Sequence, residues 1–156
     1  MNLDKLDIVK ISNTNYKLYN LVNGQRINIT LNFENIKSPF GLEKFQNVYY
    51  INWELNTEYA NLIKQFDLEI KDIITTANEQ YTSWSWTSNV KEKYGFKPLL
   101  KTRLLQTKNK FIVECITSPF EINYKNNMNI ILIIDSIWFN EKNKTFGLLW
   151  IVKKIT

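Results

Sequence analysis

The sequence of 156 residues contains no histidine. This excludes His-based acid–base catalysis, Ser-His and Cys-His nucleophile pairs and nearly every familiar zinc site. The four glycines are isolated from one another, so there is no glycine-rich phosphate loop. Most carboxylates also stand singly along the chain. We therefore expect a protein that is not an enzyme and that needs neither a metal nor a cofactor.

Cysteine, proline and long apolar runs are scarce as well. The single cysteine, Cys115, cannot form an internal disulfide, which indicates a reducing, intracellular compartment. No apolar run approaches the roughly 20 residues of a membrane span. The N-terminal segment MNLDKLDIVK lacks the apolar stretch of a secretory signal. With few glycines and prolines to form linkers, the length predicts a single domain over residues 1–156.

Positive charge is concentrated in the C-terminal part of the chain. Residues 1–90 carry a net charge of −2, whereas residues 91–156 carry +7. A one-sided excess of this kind favours an anionic partner. The many asparagines, lysines and isoleucines are also typical of an AT-rich genome, which accounts for part of the lysine excess.

Aromatic and basic residues occur together between Tyr81 and Lys110. Rings can stack on bases, and cations can neutralise phosphates, so this combination suits an unpaired nucleic-acid strand. The strand-like segment Leu99–Leu105 would place Lys101 and Arg103 on one face and aliphatic side chains on the other. The candidate nucleic-acid-binding residues are Trp84, Trp86, Lys91, Lys93, Tyr94, Lys97, Lys101 and Arg103.

Two of these candidates leave an alternative open. Trp84 and Trp86 are flanked by serines and threonines, so they could stack on bases or could cap the open end of a barrel. Trp53, Trp138 and Trp150 stand in apolar strands, and we expect them in the core. Asp135 interrupts the apolar run IILIIDSIW and needs either a partner or access to solvent.

The pattern of the chain predicts a mainly β (α+β) fold. Asn23-Gly24 is a strong hairpin signal, and strict alternation predicts a half-buried strand over residues 25–33. SPFGLEKFQN is expected to be a loop and VYYINWEL a strand. An amphipathic helix is predicted over about 57–79, capped at Asn56 and covering a sheet. Two strands around a turn at Thr107–Lys110 follow, and then a long closing hairpin. One helix inserted among many short strands indicates a small OB-like β-barrel.

Several segments in this order resemble a known family. They are PFGLEKF, YYINWEL, KYGFKPLLKTRL and the ending IIDSIWFNEKNKTFGLLWIVKKI. Over about residues 33–155, the chain resembles the OB-fold single-stranded-DNA-binding proteins of large nucleocytoplasmic DNA viruses, which are similar to those of podovirus-type phages. The resemblance implies sequence-tolerant coating of exposed DNA strands during viral replication, recombination or repair. It also implies a location in the cytoplasm, viral factory or nucleus of an infected host, and it is compatible with a homodimer.

One feature of that family is missing. Its members commonly end in an acidic tail that recruits replication proteins, whereas here no acidic residue follows Glu141. Either an acidic tail has been removed or this member lacks one. In the second case, we do not expect it to recruit replication proteins.

Two alternatives to binding of single-stranded DNA remain. One is a viral protein–protein interaction module that uses exposed aromatic residues. The other is an RNA-binding OB domain with the same groove.

Overall fold

The computed structural model describes residues 6–156, and the fold is mainly β with one long helix, as predicted. The strands before the helix are β1 Leu6–Ser12, β2 Asn15–Val22, β3 Gln25–Ile27, β4 Ile29–Ile36, β5 Leu42–Phe45 and β6 Val48–Glu54. The helix α1 spans Thr57–Ala77. The strands after it are β7 Ser85–Thr87, β8 Val90–Lys91, β9 Leu99–Leu104, β10 Gln106–Thr107, β11 Lys110–Phe111, β12 Glu114–Cys115, β13 Met128–Asn140 and β14 Thr145–Ile155. Short 3₁₀ turns cover Glu79–Ser83 and Pro119–Glu121.

The long hairpin of β13 and β14 lies at the centre of the sheet. The two strands are antiparallel from Ile130 opposite Ile155 to Asn140 opposite Thr145. The other edge of β13 pairs with β4 and then with β2, while β14 pairs with β7, β9 and β12. Both strands therefore have neighbours on both edges and are central in the sheet.

The sheet runs in the order β1-β2-β13-β14-β9-β6-β5, with β4 on β13 beside this path. A single bridge links Lys37, just after β4, to Glu54 at the end of β6. In it, the Glu54 N–H donates to the Lys37 carbonyl at 2.8 Å. Within residues 6–156, β4 and β6 form no continuous ladder with each other.

The helix follows its sequence pattern closely. The Asn56 side chain accepts a hydrogen bond from the Tyr59 N–H at 2.7 Å, so the predicted cap is confirmed. Its apolar residues, among them Ile63, Phe66 and Ile70, belong to the same buried cluster as the sheet residues. The apolar stripe therefore covers the sheet. In the part of the chain that the structure describes, no helix is long and apolar enough to cross a membrane.

Three strand predictions were wrong in detail, and in each case the reason is the strand with which the segment pairs. The expected strand over 25–33 breaks at Asn28, because β3 pairs with β2 while β4 pairs with β13. The expected loop SPFGLEKFQN contains β5, which forms a hairpin with β6 through Gln46-Asn47, both at positive φ. The strand expected after the turn at Thr107–Lys110 divides into β11 and β12, because these pair with β10 and β14 respectively.

The aromatic core contains Trp53 and Trp150, both fully buried as expected. Trp138 is half-buried instead, because it packs over Gly147 at the surface of the β13–β14 hairpin. Asp135 lies at a register shift between Ile134 and Ser136 and forms an ion pair with Lys17 on β2. The bulge therefore turns this carboxylate toward a cation at the surface.

Candidate nucleic-acid interface

Strand β9 alternates as its sequence predicts. Leu100, Thr102 and Leu104 are buried, while Lys101 and Arg103 are partly exposed on the opposite face. The Thr102 hydroxyl accepts a hydrogen bond from Trp53 Nε1 at 2.9 Å and donates one to the Ile51 carbonyl at 3.1 Å. These buried bonds hold β9 in register with β6, so the two outward cations have defined positions.

Strand β6 supplies the other half of this outward face. In the antiparallel register, Tyr50 lies opposite Arg103 and Asn52 lies opposite Lys101. Directly opposed residues point to the same side of a sheet. We call the surface formed by Tyr50, Asn52, Lys101 and Arg103 the β6–β9 face. The Lys101 ammonium lies 4.1 Å from the centre of the Tyr50 ring. This face therefore presents a cation and an aromatic ring in direct contact.

The cations of this region are largely free of acidic partners. Within residues 6–156, no carboxylate lies within 4.0 Å of a side-chain nitrogen of Lys91, Lys93, Lys101 or Arg103. Lys97 reaches Glu54 at 3.9 Å. These charges remain available to an anionic ligand.

An apolar groove extends this face at the N-terminal end of β9. It has a volume of about 690 Å³ and is lined by Pro39, Phe40, Glu54, Lys91, Glu92, Lys93, Phe96, Lys97 and Leu99. We call it the Phe40–Phe96 groove. Leu99 and Glu54 oppose each other in the same register that pairs Lys101 with Asn52. The groove and the β6–β9 face are therefore consecutive parts of one surface.

Two predicted candidates that line the groove, Lys93 and Lys97, lie in or next to a tight turn over residues 93–96. The Phe96 N–H donates to the Lys93 carbonyl at 3.0 Å, and Gly95 has a φ of +82°. Glycine is the residue that accepts this left-handed conformation at the third position of such a turn. The turn leaves the Tyr94 side chain fully exposed and holds the Lys93 ammonium 5.3 Å from the centre of the Phe96 ring.

The groove also contains an acid whose charge is engaged elsewhere. Glu92 forms an ion pair with Lys64 on α1. Since this contact neutralises the carboxylate, Lys91 and Lys93 on either side of it keep most of their effect on an anionic ligand.

Trp84 and Trp86 lie elsewhere in the fold. Strand β7, which contains Trp86, pairs with the start of β14, and the Trp86 ring packs on Phe146 with ring centres 5.1 Å apart. Trp84 packs edge-on against Tyr81, with the Lys144 ammonium 5.0 Å from its own ring centre. Both indoles contact the core cluster, and neither lines the Phe40–Phe96 groove. The two-residue spacing alone did not indicate this position.

A buried carboxylate joins the helix to the segment that carries Lys91. Asp67 on α1 is 6% exposed and accepts a hydrogen bond from the Ser88 hydroxyl at 2.5 Å. The same hydroxyl accepts the Val90 N–H at 3.1 Å. Burial raises the pKa of Asp67, while the hydrogen bond from the Ser88 hydroxyl acts in the opposite direction. The helix thereby holds β8, and with it Lys91, against β9.

Three ring residues of this surface, Tyr50, Phe40 and Phe96, were not among the sequence-derived candidates. Alternation within VYYINWEL would have placed Tyr50 outward once Trp53 was assigned to the core. No local pattern pointed to Phe40, because its position depends on the packing of its loop against residues near Ile122. In comparisons with known proteins, no family model and no curated protein matches this chain.

Proposed function

We propose that this protein binds single-stranded nucleic acid, with DNA as its natural strand, and that it does so without catalysis. The observation that supports the proposal is the β6–β9 face, where cations without acidic partners stand beside an accessible ring and lead into an apolar groove. Phosphates would contact Lys91, Lys93, Lys97, Lys101 and Arg103. Bases would stack on Tyr50 and Tyr94.

The contact between Lys101 and Tyr50 suits exchange with such a ligand. A cation–π contact at a solvent-accessible site stabilises by only about 0.5–1 kcal/mol. The ammonium can therefore leave the ring for a phosphate while a base takes its place on the ring. Base–aromatic stacking contributes roughly 1–3 kcal/mol, so the exchange is favourable. Because every base has a flat face, binding of this kind tolerates many sequences.

We also propose that the sheet is a variant of the OB-type barrel. The neighbouring strands β4, β13, β14, β9 and β6, together with the bridge between Lys37 and Glu54, support this assignment. The resemblance over residues 33–155 supports a role in coating exposed strands during viral DNA replication, recombination or repair. Trp84 stays a candidate for a second contact, because it lines a pocket with Lys10 and Lys144.

A direct binding experiment tests the proposed function. Labelled oligo-dT of about 20 nucleotides exceeds the roughly 4–16 that one OB fold covers. Its fluorescence anisotropy should rise to saturation on addition of the protein. Unlabelled oligo-dT should displace it, and a duplex of the same length should not. Equal displacement by the duplex would contradict strand selectivity, and stronger displacement by oligo-U would assign the surface to RNA.

Protein binding is the second candidate function, and exposed apolar residues outside the Phe40–Phe96 groove favour it. Phe45 and Phe120 are 66% and 67% exposed, and Phe45 lies on β5, which ends the sheet path. An edge strand with exposed rings can pair with a second chain. Sedimentation of the wild type and of Phe45→Glu would test for homo-oligomers. A concentration-dependent dimer that the substitution dissociates supports this function, and a monomer at all concentrations opposes it.

A further inference from the structure

Two phenylalanines are exposed at the Phe40–Phe96 groove. Phe40 is 63% exposed and Phe96 is 70% exposed. Within residues 6–156, neither ring is paired with another aromatic side chain. A cluster of large apolar groups at the surface typically marks a binding site.

The backbone under Phe40 is held firmly in place. The Gly41 N–H donates to the buried Ser38 hydroxyl at 3.0 Å. Gly41 has a φ of +66°, and a Cβ there would lie 2.4 Å from the Ile122 carbonyl oxygen. Only glycine fits this close approach. Phe96 stands on the hydrogen-bonded turn over residues 93–96. Both rings are therefore presented by ordered turns, which lowers the entropic cost of binding a ligand.

The charges around the rings favour an anionic occupant. Lys91, Lys93 and Lys97 line the groove, and of its two acids Glu92 is engaged with Lys64 while Glu54 is near Lys97. The volume of about 690 Å³ lies within the usual range for a ligand site. The groove also continues the β6–β9 face, so a strand that crosses this face would reach it.

We propose that the Phe40–Phe96 groove binds an unstacked base of the nucleic-acid strand, with the adjoining phosphates on Lys91, Lys93 and Lys97. This inference rests on the proposed function and assigns a specific base-binding subsite to it. The apolar walls formed by Pro39 and Leu99 exclude water from the base, while the lysines at the rim contact the backbone. Without a base to stack, the strand would gain only the phosphate contacts.

The test combines ring substitutions with a strand that lacks bases. Affinities for oligo-dT and for an abasic strand of the same length are measured for the wild type, Phe40→Ala, Phe96→Ala and the double variant. Tyr124→Ala is the matched control, because the Tyr124 ring is 62% exposed, about as much as Phe40, but lies outside the groove. Circular dichroism checks that each variant is folded.

We expect each groove substitution to weaken oligo-dT binding between about 5-fold and about 140-fold, the range of one lost stacking contact. The affinity for the abasic strand should not change, and Tyr124→Ala should bind as the wild type does. If the wild type binds oligo-dT and the double variant binds it equally well, the subsite is overturned while the proposed function stands. If the wild type binds neither strand, the base-binding subsite and the proposed function are both contradicted. Equal weakening of both strands by the ring substitutions would also overturn a base-specific contact.

Discussion

Lys101 and Tyr50 lie in contact across two strands that are far apart in the sequence, with the ammonium 4.1 Å from the ring centre. The register of β6 and β9 brings them together, and the buried bonds of Thr102 to Trp53 and to the Ile51 carbonyl fix that register. The result is a surface on which one contact supplies both groups that a nucleotide needs, a flat ring and a positive charge. The same register leads this surface into the groove between Phe40 and Phe96.

The first prediction concerns the Tyr50 ring. Tyr50→Ala should weaken binding of oligo-dT by about 1–3 kcal/mol, because it removes a stacking surface. Tyr50→Phe keeps the ring and should retain wild-type affinity, so it is the matched control. Anisotropy titration measures both. Wild-type affinity in Tyr50→Ala, or equal losses in the two variants, would show that the ring does not stack on a base.

The second prediction concerns the turn that carries Phe40. A methyl group at Gly41 would meet the Ile122 carbonyl, whereas one at Gly24 would meet nothing within 4 Å, although both glycines have positive φ. Gly24→Ala should cost about 1–2 kcal/mol of stability from the backbone alone. Gly41→Ala should cost about 1–3 kcal/mol more, as overpacking does. Urea unfolding compares them, and equal losses would mean that the Ile122 contact is not tight.

The third prediction concerns pH and Asp67, whose pKa is raised by burial. A raised folded-state pKa means that the folded protein binds the proton more tightly than the unfolded chain does. This contribution to stability is fully present below the ordinary value of 3.8 and is lost as the pH rises through the folded-state pKa. Lowering the pH from neutral toward 4 should therefore stabilise the wild type relative to Asp67→Asn. Urea unfolding at several pH values measures this difference, and a difference that is independent of pH would contradict it.

Much of the local structure was predictable because it depends on near neighbours in the sequence. The Asn56 cap, the Asn23-Gly24 turn and the alternation that exposes Lys101 and Arg103 all follow from spacings of a few residues. The division of residues 25–33 at Asn28 was not predictable, because it depends on which distant strand pairs with each half.

The candidate site likewise contains some residues that were predictable from near neighbours and others that depend on distant pairing. The sequence indicated the cations of residues 91–103, because they are close together in the chain. Tyr50 and Phe40 join them only through the pairing of β6 with β9 and the packing near Ile122. Trp84 and Trp86 looked like part of the same surface, but the polar segment around them folds back onto the start of β14, where both rings contact the core.

The salt dependence of binding to oligo-dT tests the central claim most directly. Neutralisation of about four phosphates predicts a slope near −2.8 for log affinity against log salt concentration on a single strand. Lys101→Ala should lower its magnitude by about 0.7, and Lys71→Ala on α1, which lines neither the face nor the groove, should leave it unchanged. We expect tight binding at about 50 mM salt that weakens with this slope. No detectable affinity at that salt concentration would contradict the account.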